Sequence, residues 1–115
     1  MTAVQAQRVE ACRLEEIPPG EVVTLDVDPP VALFHTEDGD LYAVDDICTH
    51  AYTLLSEGDV EDGAVECPLH MAKFDLASGR PLCFPATKAL RTHRVEVSDG
   101  VVVVHVGEPA AGAHQ

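Results

Sequence analysis

The strongest constraint on this chain is a pair of short motifs, Cys48-Thr49-His50 and Cys67-Pro68-Leu69-His70, separated by the 16 residues 51–66. Each carries one thiol and one imidazole, and each follows a strand-like run: LYAVDDI leads into the first and GAVE into the second. A fold that uses both must place two loops face to face at the ends of strands. The sheet then fixes the backbone while the loops present side chains, an arrangement suited to a preorganised metal site. With 115 residues the chain fits one domain and one such site.

The rest of the sequence supplies the sheet. From Arg8 to Val106 short β-rich runs alternate with turn signals every ten or so residues, which predicts an all-β antiparallel sandwich or barrel. RVEACRL, VVTLDV, VALFHT and LYAVDDI are four candidate strands before the first motif. KFDLA follows the second, and RTHRVEV and VVVVHV form a predicted hairpin around SDG. Helical periodicity is nowhere sustained, and no solenoid-length repeat is present. Trp is absent, so the core is expected to be Val, Leu and Ala. The domain is expected over 1–107, with 108–115 as a flexible tail.

A formal charge of −13, from 20 acidic against 7 basic residues, opposes binding to nucleic acid phosphates and to anionic membranes. It suits either solubility alone or a docking field for a basic protein surface. MTAVQAQRVEACRLEE lacks the basic start and apolar core of a signal peptide, and no 18-residue apolar run follows, which predicts a soluble cytoplasmic protein. In that setting the four cysteines are expected to bind metal or to pack, and not to form structural disulfides.

Two Cys and two His satisfy a tetrahedral zinc site, although zinc fingers usually pair Cys with Cys and His with His. Here each loop mixes the two types. Mixing makes sense if there are two metal positions, with each loop giving a thiolate to an inner metal and an imidazole to an outer one, the ligand set of a Rieske [2Fe-2S] centre. Both readings stand on the spacing. Beyond Cys48, His50, Cys67 and His70, the chain also has Pro68 inside the second motif, Phe74, Ser78-Gly79 and Pro85-Ala86. With these residues it resembles, from about Val9 to Val106, the Rieske-type ferredoxins of bacterial multicomponent aromatic-ring dioxygenases.

That resemblance implies a Rieske-type domain with two cluster-binding loops at one tip and a third loop, bearing Pro85-Ala86, covering the cluster. It implies one [2Fe-2S] cluster per chain, with Cys48 and Cys67 on the buried iron and His50 and His70 on the outer one. The two imidazoles would then offer the electron its exit. The implied function is one-electron transport from a flavin-containing NAD(P)H reductase to a terminal aromatic-ring dioxygenase, by a monomer with no catalysis and no small-molecule substrate of its own. Alternatives are the small Rieske-type subunit of a larger reductase such as nitrite reductase, or a zinc-stabilised interaction module. The Rieske domain of a terminal oxygenase would need a further mononuclear-iron domain, for which 115 residues leave no room.

Replacing two thiolates by imidazoles removes two negative charges, which places Rieske centres at roughly −150 to +300 mV against about −400 mV for plant-type ferredoxins. Respiratory members of the superfamily add a disulfide between the loops and hydroxyls that hydrogen-bond to the cluster. Here Thr53 and Leu69 stand in place of the paired cysteines, and Ala72 and Phe74 in place of the Ser and Tyr. Without those donors, and on an acidic chain, the low end of the window is expected.

The remaining candidates have plainer readings. Cys12 and Cys83 each stand alone and are expected to pack as small hydrophobes. His35, His93, His105 and His114 lack ligand spacing. Lys73 and Arg80 read as solvated surface near the motifs, and Tyr52 and Met71 as either loop packing or an apolar docking rim.

Overall fold

The structure is a computed structural model and describes residues 7–48, 53–68, 72–82 and 88–110. Its strands are β1 (Gln7–Arg13), β2 (Val22–Leu25), β3 (Val31–His35), β4 (Leu41–Asp45), β5 (Asp59–Glu61), β6 (Ala64–Glu66), β7 (Lys73–Asp75), β8 (Thr92–Ser98) and β9 (Val101–Val106). No α-helix occurs among the described residues; Leu14–Glu16 and Leu55–Glu57 are single 3-10 turns. The antiparallel all-β expectation is therefore met.

The strands form a six-stranded sheet in the order β1-β9-β8-β4-β3-β2 and a three-stranded sheet in the order β5-β6-β7. β8 joins the halves of the larger sheet: its first two residues pair with β4 (Val44 with Thr92, Ala43 with His93), and Arg94 to Ser98 pair with β9. The predicted final hairpin is present. Its two-residue turn has both central residues in the left-handed region, Asp99 at φ 53° and Gly100 at 78°, the primed geometry whose twist matches that of antiparallel strands. The same device, Asp62 at 54° and Gly63 at 75°, joins β5 to β6.

Alternation along β3 and β4 divides the interior into two cores. Val31, Leu33 and Ala43 face one, with Ile17, Leu25, Val102, Val104 and Val106. Ala32, Phe34 and Val44 face the other, with Leu55, Val65, Phe74, Leu76 and Leu90. A continuous apolar run such as Val-Ala-Leu-Phe is what a strand covered on both faces requires, and Val31 to Phe34 are at most 2% exposed. Complete burial of each Val or Leu contributes about 1.5–3 kcal/mol, so both sides of this wall hold it in register. Beyond β9, the chain remains attached to β8: Arg94 N–H donates to Glu108 O at 2.7 Å, and Ala110 N–H to Thr92 Oγ1 at 3.1 Å. Residues 111–115 lie outside the described part.

Candidate metal centre

The second core contains both motif cysteines. Cys48 is 3% exposed and Cys67 0%, and both pack in the cluster that includes Phe34, Leu55, Val65 and Phe74. Their loops are closed in the same way. Beyond β4, Ile47 bridges to Leu54 and Cys48 N–H donates to Thr53 O at 3.0 Å. Between β6 and β7, Glu66 pairs with Lys73 and Cys67 N–H donates to Ala72 O at 2.6 Å. Each thiol-bearing residue thus opens a loop that is shut by a carbonyl five positions on, and each expected imidazole belongs to the residues inside. His50 and His70 lie outside the described residues, as do Tyr52, Leu69, Met71, Cys83, Pro85 and Ala86.

Three further contacts fix these loops. Asp46, 1% exposed, accepts hydrogen bonds from Ser56 N–H at 2.7 Å and Ser56 Oγ–H at 3.0 Å, while its own carbonyl accepts from Leu55 N–H at 2.7 Å. Gly58 brings its backbone so close to the Glu66 carbonyl, one residue before Cys67, that an added Cβ would collide with it. Ser78 N–H and Oγ–H both donate to Asp75 Oδ2, at 2.9 and 2.7 Å, holding the Ser78-Gly79 turn. From that turn residues 80–82 run back along β7, with Asp75 N–H donating to Arg80 O and Leu82 N–H to Lys73 O.

A polar hub lies at the end of β4. The guanidinium of Arg91 grips Asp45 with two hydrogen bonds, Nε to Oδ2 at 2.8 Å and Nη2 to Oδ1 at 3.1 Å, and His93 Nε2 lies 2.9 Å from Oδ1. Gly107 N–H donates to His93 Nδ1 at 3.0 Å, so that nitrogen is the acceptor and Nε2–H points at Asp45. Burial pushes the Asp45 carboxyl up, but the hydrogen bonds from His93 and Arg91 and the Arg91 charge outweigh it and hold the group below the ordinary carboxylate range. His93 is thus a buried, satisfied histidine, as its lack of ligand spacing suggested.

The other candidates are also accounted for. His35 Nδ1 meets Ile17 O at 2.6 Å and His105 Nε2 meets Glu96 at 2.7 Å, so neither is placed as a ligand. Cys12 packs half-buried against the first core, where burial first and then the Glu16 charge push its thiol up. Lys73 and Arg80 are exposed.

The chemistry of the donors fits a group that takes two thiolates on one buried iron: two cysteines, from two loops of like closure, in one apolar core. The sequence model of the Rieske [2Fe-2S] domain matches residues 7–94. The chain belongs to the Rieske [2Fe-2S] family. This decides between the two metals that the motif spacing left open, and the cofactor is a Rieske [2Fe-2S] cluster. Among relatives, the Rieske chain is 48% identical over 98 residues to the 3-phenylpropionate/cinnamic acid dioxygenase ferredoxin subunit of Photorhabdus laumondii, covering 84% of this chain and 92% of that one. It also superposes, with a TM-score of 0.82 and 33% identity over 89% of its length and 94% of the other, on a chain of the complex of reduced oxygenase and oxidized ferredoxin in carbazole 1,9a-dioxygenase. A protein named as an NADH-dependent nitrite reductase small subunit from Mycobacterium tuberculosis is similar at a TM-score of 0.77 and 26% identity, over 88% of this chain and 96% of that one.

Proposed function

We propose that the chain is the ferredoxin component of an aromatic-ring dioxygenase system, an electron carrier and not an enzyme, with Cys48, His50, Cys67 and His70 holding its cluster. The observation that carries this is the 48% identity to a dioxygenase ferredoxin subunit across 92% of that subunit's length, together with the two buried cysteines on matched loops. The cluster, when bound, supplies one-electron transfer. The chain's own residues hold it: β4 and β6 deliver the thiols, the two loop closures fix their backbone, and the second core excludes water from them. His50 and His70, two and three residues beyond the cysteines, fill the imidazole positions of the Rieske ligand set.

The proposed partners are a flavin-containing NAD(P)H reductase as donor and a terminal oxygenase as acceptor, met in the cytoplasm by a monomeric carrier. The similarity of this chain to a chain of the complex of oxygenase and ferredoxin in carbazole 1,9a-dioxygenase supports the acceptor, and no helix among the described residues is long and apolar enough to cross a membrane. Ala72 and Phe74, both 0% exposed, offer no hydroxyl to the core around the cysteines, which favours a low potential.

The test is an anaerobic redox titration followed by visible absorbance and electron paramagnetic resonance, with iron and acid-labile sulfide assayed on the same sample. Two irons and two sulfides per chain, with one single-electron step near the bottom of the roughly −150 to +300 mV window, are expected. A high potential would overturn the low-potential carrier, and a colourless zinc protein the electron-transfer role. Stable copurification with a large reductase subunit would instead favour the nitrite reductase type.

A further inference from the structure

We infer that the outer face of the smaller sheet docks the terminal oxygenase, with Lys73 and Arg80 meeting carboxylates of that partner around the apolar side chain of Leu82; this rests on the electron-carrier reading proposed above. The charge of the chain is unevenly placed. Residues 67–94 hold five of its seven basic residues, Lys73, Arg80, Lys88, Arg91 and Arg94, against a single acid, Asp75, although the whole chain carries a net charge of −13. Arg91 is committed to Asp45, and Arg94 to Glu96 and Glu108. Lys73 and Arg80 are exposed and take part in none of the salt bridges among the described residues.

The strand register sets these two cations on one surface. Paired residues of an antiparallel sheet share a face, and neighbours along a strand take opposite faces. Val65 and Phe74, paired with each other and fully buried, define the inner face. Glu66 with Lys73, and Ala64 with Asp75, therefore lie on the outer one, and Asp59 and Glu61 of β5 continue these two rows. Residues 80–82 extend the rows on the other side. Phe74 bridges to Pro81, Leu82 N–H donates to Lys73 O at 2.7 Å and Asp75 N–H to Arg80 O at 2.8 Å, so Leu82 stands opposite Lys73 and Arg80 opposite Asp75. Ser78 occupies the Asp75 carboxylate, and Leu82, 55% exposed, is the most exposed large hydrophobic residue among those described.

The face is thus acidic at the β5 end and basic at the other, with an apolar side chain beside the cations, over three strand spacings or about 14 Å. A uniformly anionic polymer or membrane would be repelled by the acidic end, so this polarity fits a protein surface of the reverse pattern. Glu66 and Lys73 adjoin the loop that Cys67 opens and Ala72 closes, so a partner seated here is held next to that loop. Opposite charges around one apolar contact speed encounter without tight binding, as a carrier requires. The oxygenase is favoured over the reductase because this chain is similar to a chain of a complex of oxygenase and ferredoxin.

The experiment reduces the cluster-loaded protein and follows its reoxidation by stopped flow, at low and high salt, with the oxygenase of the 3-phenylpropionate/cinnamic acid dioxygenase of Photorhabdus laumondii as acceptor. Lys73→Glu combined with Arg80→Glu is expected to lower the second-order rate constant about tenfold at low salt, and the loss should shrink at high salt. Arg8→Glu combined with Arg13→Glu changes the net charge equally, on edge strand β1 of the larger sheet, and is expected to lower it far less. Leu82→Ser is expected to slow transfer at both salt concentrations. Iron content and visible spectrum should stay as in wild type throughout, since every altered side chain is exposed. Equal losses in the two double variants, or no loss in the first, would overturn the inference. So would slower reduction of the Lys73 and Arg80 variant by the reductase of the same system with unchanged transfer to the oxygenase, or a wild-type dimer in sedimentation that this variant dissolves while transfer is unchanged; these would make the reductase or a second copy the occupant. A wild type that holds no iron and sulfide, or that passes no electron to the oxygenase, would instead overturn the carrier reading itself.

Discussion

The two cores of this domain are built from similar apolar residues and do different work. The first lies inside the larger sheet, whose strands β1, β8 and β9 run seven, seven and six residues and whose register is continuous apart from a bulge between Glu10 and Cys12. The second is closed by β5, β6 and β7, each three residues long. Strands so short make too few ladder bonds to persist alone. The smaller sheet holds its shape by packing Val65, Phe74 and the adjoining Cys67 into one cluster with Ala32, Phe34 and Val44 of β3 and β4. One core therefore carries the fold, and the other holds the two motif cysteines beside a sheet that depends on the packing around it.

The largest test of that division is removal of a thiol. Cys48→Ser or Cys67→Ser is expected to abolish the visible absorbance of the centre. Hydrogen exchange should then show lost protection in β5, β6 and β7 with the β8–β9 hairpin still protected; equal loss in both sheets would break the division. A smaller effect should separate the cores without touching a ligand. Phe74→Ala and Leu33→Ala each remove a fully buried side chain and are expected to cost about 3–5 and 2–5 kcal/mol. Urea unfolding gives the stability, and the rate of absorbance loss to a chelator gives cluster retention. Phe74→Ala should hasten cluster loss under native conditions, whereas Leu33→Ala should lower stability alone.

The smallest expected effect concerns the hub between the two regions. Because the folded Asp45 carboxyl sits below its ordinary range, its contribution to stability is complete above the unfolded pKa of about 3.9. That contribution disappears as pH falls from there through the lower folded value. Unfolding free energy measured across that acid range should fall less steeply for Asp45→Asn than for wild type. A parallel fall in both would show that other carboxylates govern the acid limit.

Much of the fold was legible in the sequence wherever apolar residues repeat: β1 to β4, β8 and β9 coincide with runs seen there, and the Ser98-Asp99-Gly100 turn sits where the hairpin was expected. β5 was not, because Asp59-Val60-Glu61 is exposed throughout and shows no buried face. Its only signal was Asp62-Gly63, the same turn chemistry read correctly at Asp99-Gly100. The cysteines stood out because thiols and imidazoles at loop spacing have few other uses. Asp46 and Ser56 did not, since VDDIC reads as ordinary solvated acid, and what distinguishes Asp46 from its neighbour is a partner 10 residues away. Asp45 is likewise explained only by Arg91 and His93, 46 and 48 residues on. Gly58 was silent for the same reason: the carbonyl that demands it belongs to Glu66.

The doubly covered wall of β3 and β4 has a consequence for how such a sequence can change over generations. At most positions of a surface strand one face is open, and a lineage can explore that face freely. From Val31 to Phe34, and again at Ala43 and Val44, neither face is open. A larger residue at Ala32 presses on the core that holds Cys48 and Cys67, and one at Ala43 presses on the other core. These six positions are where variation is least affordable, although none of them touches an electron.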